Sequence, residues 1–89
     1  MVIRVATFDK KPAAHDDAIR MASFRAWTKS QRGFRAAWHA HDSKTGKALF
    51  ISVWNDMPSL IAMNDRAPTG RGIGIKPDKV EIFGQVEEF

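Results

Sequence analysis

Apolar and polar residues alternate with the two-residue rhythm of half-buried strands over residues 33–42 and 47–54. Ser43-Lys44-Thr45-Gly46 lies between the two runs and supplies the small, polar residues of a tight reversal. The pair therefore predicts an antiparallel hairpin. Setting Asp42 against Lys47 places His39 opposite Phe50, Ala37 opposite Ser52 and Arg35 opposite Trp54. Phe34, Ala36, Trp38, Ala40, Leu49, Ile51 and Val53 then share one face. Arg35, His39, His41, Ser52 and Trp54 share the other, an unusual load of chemistry for one sheet face unless a ligand or partner covers it.

The flanking patterns complete the order. Residues 1–9, rich in Val, Ile, Thr and Phe, read as a first strand ended by Lys10-Lys11-Pro12. Pro12 suits the start of a helix, and Asp16 and Asp17 oppose the positive end of its dipole. That helix runs to about Gln31, with Ile19, Ala22, Ser23, Ala26, Trp27 and Ser30 as its expected inner stripe and Met21, Arg25, Lys29 and Arg32 opposite. Gly33 suits its C-terminal cap. After the hairpin, Asn55 or Asp56 caps a short second helix with Pro58 in its first turn and Leu60, Ile61 and Asn64 inward, Met57 and Met63 near by. Residues 66–78 read as a loop, and residues 79–89 as a fourth strand.

The order β-α-β-β-α-β predicts an α+β, ferredoxin-like sandwich: a four-stranded antiparallel sheet with both helices on one face. The second sheet face is then bare, yet both faces of the hairpin carry large apolar groups. A second copy of the sheet is the simplest cover, so a two-fold homodimer is expected.

Length allows one domain, residues 1–89. There is no Cys, which excludes disulfides, thiolate catalysis and Cys-ligated zinc, and no Tyr, which removes the phenol as an acid or radical relay. Arg4 and Asp9 interrupt the early apolar run, so no secretory signal is read there, and no stretch approaches membrane-span length. A cytoplasmic protein without membrane contact is the expectation.

The net charge of +4 favours anionic partners, but the densest cluster, Arg20, Arg25, Lys29, Arg32 and Arg35, reads as a solvated helix face. RNA-recognition domains share the β-α-β-β-α-β order and stack bases on strand-three aromatics. The corresponding central positions here hold Leu49 and Ile51, and strand one offers only Phe8, so no specific nucleic-acid binding is expected. Gly70-Arg71-Gly72-Ile73-Gly74 lacks the GxxxxGK[ST] spacing and precedes a strand, so it reads as a lid or dimer-edge loop instead of a phosphate cradle.

Candidate chemistry gathers on the polar face of the hairpin. His39 and His41 are two residues apart, but a metal site needs a third ligand, and only His15, Asp42 or a residue of a second subunit would supply it; no metal is expected. A pocket histidine acting as acid or base suits His39 better, because imidazole titrates near neutral pH. Arg35 is suited to anchor a carboxylate or enolate through its forked donors. Trp54 and Trp27 are candidate walls of an aromatic pocket with Ser52 beside them.

Several features together resemble a known family. They are Gly33-Phe34 opening strand two, the Asp42-Ser43-Lys44-Thr45-Gly46 turn, Trp54 closing strand three before a short helix, and the tail Gly74-Ile75-Lys76-Pro77-Asp78-Lys79-Val80-Glu81-Ile82-Phe83. Over nearly its whole length the chain resembles the dimeric α/β-barrel superfamily, and within it the antibiotic-biosynthesis-monooxygenase-type domains. The resemblance implies a homodimer with facing sheets and, in each subunit, a ligand cavity between sheet and helices. Some members oxidise aromatic polyketides without metal or flavin, using Trp, Asn and Tyr. Trp54 matches the Trp that closes strand three and Asn55 follows it, while the Tyr has no counterpart. Haem-degrading members carry an Asn on strand one and a histidine ligand, and this chain has neither in the corresponding place. The resemblance thus implies a cofactor-independent monooxygenase, or a related isomerase-like activity, on an aromatic or enolisable substrate. Trp54 and Asn55 would hold that substrate, His39 would move a proton and Arg35 would stabilise negative charge. A non-catalytic dimeric domain that binds a small hydrophobic molecule, or only serves a structural role, is the alternative.

Overall fold

The computed structural model describes residues 1–10, 18–66 and 77–89. The elements are β1 (Val2–Phe8), α1 (Ala18–Lys29), β2 (Phe34–His41), β3 (Ala48–Trp54), α2 (Met57–Arg66) and β4 (Lys79–Phe83). The strands form one antiparallel sheet in the order β2-β3-β1-β4, the expected ferredoxin-like arrangement. The start of the first helix, with Pro12, His15, Asp16 and Asp17, and the glycine loop at 70–74 lie outside the described residues. β4 is shorter than the alternation suggested and ends at Phe83.

The helix-covered face of the sheet holds two apolar clusters. Ala6, Phe8, Ala48 and Phe50 pack with Met21 of α1, joined by Phe24 and Ala37. Val2 and Trp54 pack with Leu60 and Met63 of α2, joined by Trp27, Phe34 and Met57. An aromatic contact ties α1 to the sheet: Phe24 meets Phe50 edge-on at 5.2 Å, and within the helix it stacks on Trp27 at 6.3 Å.

Each helix keeps only part of its expected inner stripe, Trp27 on α1 and Leu60 on α2. Met21, placed outward by the sequence reading, is buried together with Thr28, whereas Ile19 is 80% exposed and Ala22, Ser23 and Ala26 face solvent. The stripe Met21-Phe24-Thr28 wins because it carries the volume needed to fill the space above the sheet; the small-residue stripe leaves voids there. On α2, Leu60 and Met63 are buried while Ile61 is half exposed and Asn64 is exposed, so Met57-Leu60-Met63 faces inward. The cap of α2 is Asp56, not Asn55. Its carboxylate accepts from the Ser59 backbone N–H at 2.9 Å, and that bond holds its pKa below the usual carboxylate range.

The hairpin register agrees with the expectation from His39↔Phe50 through Ala37↔Ser52, but not at its open end. A β-bulge between Phe34 and Ala36 makes Phe34, not Arg35, the partner of Trp54. The ring of Phe34 consequently meets Trp54 edge-on at 5.7 Å, and Arg35 is set free toward solvent. The exchange buries an aromatic ring in place of a charge. The other sheet face then carries Ala36, Trp38 and Ala40, with Leu49, Ile51 and Val53, and with Ile3, Val5 and Phe83 across β1 and β4.

Gly33 locks this corner. Its φ is 84°, its carbonyl accepts from the Asn55 N–H at 2.8 Å, and a Cβ there would overlap the side chain of Ser59. Gly33→Ala therefore meets both a left-handed backbone and a blocked space. It is expected to cost about 2–4 kcal/mol in urea unfolding, with part regained when Ser59→Gly is added.

Candidate functional site

A groove of about 340 Å³ runs between α1 and β2. Phe34, Ala37 and Phe50 supply its apolar floor, and His39 and Arg35 line it from β2. Arg25, Thr28 and Lys29 line it from α1. Thr28 is already committed, since its hydroxyl donates to the Phe24 carbonyl at 2.8 Å. The three cations Arg25, Lys29 and Arg35 are exposed at the mouth, and no carboxylate is among the described lining residues. The groove thus combines an aromatic floor with a positive rim, which suits a flat molecule of negative or polarised character.

His39 is half-buried, with its ring centroid 6.5 Å from Phe50 and 6.3 Å from His41. His41 is exposed next to the turn. Among the described residues no group of three His, Cys, Asp or Glu side chains has the arrangement of a metal site. The Arg35 guanidinium donates to the side-chain Oδ1 of Asn55 across 3.4 Å, a long bond that brings Asn55 to the margin of the groove.

The remaining sequence candidates sit deeper. Ser52 and Trp54 share the helix-side face with Ala37 and His39, but both are fully buried and neither lines the groove. Trp54 is enclosed by Val2, Leu60 and Met63, and the half-buried Trp27 packs against that same cluster. The structure therefore brings Arg35 and His39 together in the groove and Asn55 to its edge. It places Ser52, Trp54 and Trp27 in the adjoining core.

One residue escaped the sequence reading. Arg4 lies on β1 directly opposite Ser52, on the helix-covered face. Burial pushes its guanidinium below its ordinary pKa. Arg4 Nε, Ser52 Oγ and Trp54 Nε1 are each buried without a hydrogen-bond partner among the described residues. The signal was parity: Arg4 alternates with Val2, Ala6 and Phe8, so a strand facing its apolar residues inward must face Arg4 inward too.

No protein-family model matches the chain, and no curated protein matches it. Solved structures do. An antibiotic biosynthesis monooxygenase superposes with a TM-score of 0.70 at 20% identity, covering 98% of this chain and 100% of that one. A conserved protein from Methanosarcina mazei Go1 gives a TM-score of 0.71 at 15% identity, over 96% of this chain and 92% of its own. The monooxygenase ActVA-Orf6 of Streptomyces coelicolor, solved with the ligand nanaomycin D, gives 0.62 at 14% identity, over 99% and 89%. The chain has the fold of the antibiotic-biosynthesis-monooxygenase-type domains. Among the described residues, no helix is long and apolar enough to cross a membrane.

Proposed function

We propose that this monooxygenase-type fold binds a small aromatic or enolisable molecule in the groove between α1 and β2, and oxidises it with molecular oxygen and no cofactor. One observation carries the reading: a half-buried histidine and an arginine line one groove with an aromatic floor in this fold. His39 removes a proton from the substrate, and Arg35 stabilises the enolate or phenolate that results. That electron-rich anion reacts with oxygen; one oxygen atom enters the substrate and the other leaves as water. Asn55, tethered to Arg35, holds the substrate at the margin. Trp54, Trp27 and Ser52 shape the wall behind the floor.

The test is oxygen uptake with an anthrone as substrate. Protein-dependent consumption with quinone formation supports the oxygenase. Quenching of tryptophan emission without oxygen uptake favours a non-catalytic ligand-binding domain, a reading helped by the lack of any tyrosine. Either way the molecule is proposed to act in the cytoplasm as a homodimer without specific nucleic-acid binding.

The homodimer rests on the sheet face away from the helices. Trp38 is 56% exposed there and Phe83 48%, with Leu49, Ile51, Val5 and Ile3 half-buried between them. A second copy laid on this face removes that apolar area from water. Sedimentation at micromolar concentration is expected to give twice the chain mass, and Trp38→Asp is expected to give the monomer.

A further inference from the structure

The two apolar clusters do not merge, because a polar row crosses the sheet between them. Read across the strands on the helix-covered face, the row runs Ala37, Ser52, Arg4, Ile82. On one side lies the row Phe34, Trp54, Val2, and on the other the row His39, Phe50, Ala6. Cross-strand neighbours stand about 4.5–5.5 Å apart at Cβ, so Ser52 is flanked by Arg4 on one side and Ala37 on the other. Trp54 is two residues along β3 from Ser52 and shares its face.

Every unpartnered atom of this seam can donate a hydrogen bond. Arg4 Nε and Trp54 Nε1 only donate, and Ser52 Oγ donates or accepts. Arg4 is half-buried: its Nε is enclosed without a partner, and no carboxylate among the described residues pairs with the guanidinium. Three buried polar atoms without partners, one of them on a guanidinium, cost the fold stability that a hydrogen-bond acceptor would recover. The seam also has a way in. Ala37 lines the groove and is the cross-strand partner of Ser52, so only a methyl group separates the groove floor from the seam. Above it, Met57 and Met63 belong to the cluster around Trp54, and unbranched thioethers swing aside at low cost.

We infer that the Arg4–Ser52–Trp54 seam is a subsite for the carboxylate of a planar organic acid whose ring lies in the groove. The inference rests on the groove being the small-molecule site proposed above, and adds that its ligand is an acid. The exposed cations Arg25 and Lys29 steer the carboxylate to the mouth and Arg4 seats it, while Arg35 remains beside the reacting part of the ring.

The experiment compares 1-naphthoate with 1-naphthamide, one ring system with and without the charge, by tryptophan quenching. The native chain is expected to bind the acid at least about 10-fold tighter than the amide, as a charge-assisted bond implies. Arg4→Met is expected to erase that preference, keep amide binding, and raise the thermal midpoint, because a half-buried guanidinium whose Nε has no partner is gone. Ser52→Ala is expected to weaken the acid about 5-fold and leave the amide unchanged. Equal binding of both compounds by the native chain overturns the subsite while leaving the groove intact. If neither compound binds, the groove reading itself fails and the subsite with it. A preference that survives Arg4→Met, or a lowered midpoint in that variant, overturns the inference, since Arg4 is then structural. Loss of the preference in Arg25→Gln/Lys29→Gln instead overturns it by placing the anion at the mouth.

Discussion

Replacement of Trp54 by alanine is expected to destabilise the fold by about 3–5 kcal/mol in urea unfolding. Its side chain is fully buried, and its loss opens a cavity among Val2, Leu60 and Met63. The same change strips Phe34 of its edge-on partner and so loosens the bulge at the start of β2. No hydrogen bond is lost, because Nε1 has no partner among the described residues. Trp54→Phe is therefore expected to retain most of the stability while shedding the N–H, which separates the packing role of the ring from its role as a donor. A cost below about 1 kcal/mol for Trp54→Ala would contradict the enclosure described above.

His39→Ala is expected to behave in the opposite way. His39 is only half-buried and borders the groove instead of the core, so unfolding should shift by about 1 kcal/mol or less. If His39 is the proton acceptor in the oxidation of an anthrone, turnover falls by about 10²–10⁴-fold. The contrast between Trp54→Ala and His39→Ala carries the assignment. Equal destabilisation by both, with oxygen uptake untouched, makes His39 a packing residue and removes the general base from the proposed reaction.

The architecture was legible in the sequence because hydrophobic rhythm and turn residues act locally. The alternation of residues 34–41 and 48–54, the glycine at 33 and the acidic residue ahead of α2 each specify backbone by near-neighbour sterics and hydrogen bonds. The helix faces were less legible. On α1, Ala and Ser satisfy helical spacing as well as Met21, Phe24 and Thr28 do, and only the depth of the space above the sheet decides between them. The one break in the strand rhythm that announces the bulge is the pair Ala36-Ala37, where two small apolar residues follow each other; its meaning depends on Phe34 finding Trp54 across the sheet. Arg4 stayed hidden because a charged residue in a strand reads as outward, although its parity with Val2, Ala6 and Phe8 said otherwise. Polar groups meet across the sheet by register, and their lack of partners is a tertiary property that no single strand displays.

The bulge at Arg35 also bears on how this strand can change length. β2 is an edge strand, and side chains along it swap faces whenever a residue is gained or lost within it. Removal of Ala37 or Trp38 would turn His39 to the opposite face. Removal of Arg35 would not, because it is the surplus residue between the Phe34↔Trp54 and Ala36↔Val53 pairs. A deletion at this position leaves Phe34, Ala37 and His39 facing as before, while removing the cation proposed to stabilise the substrate anion and its bond to Asn55. Position 35 is thus where a shorter relative of this hairpin would have its gap, and where an insertion has already been absorbed without turning the strand over.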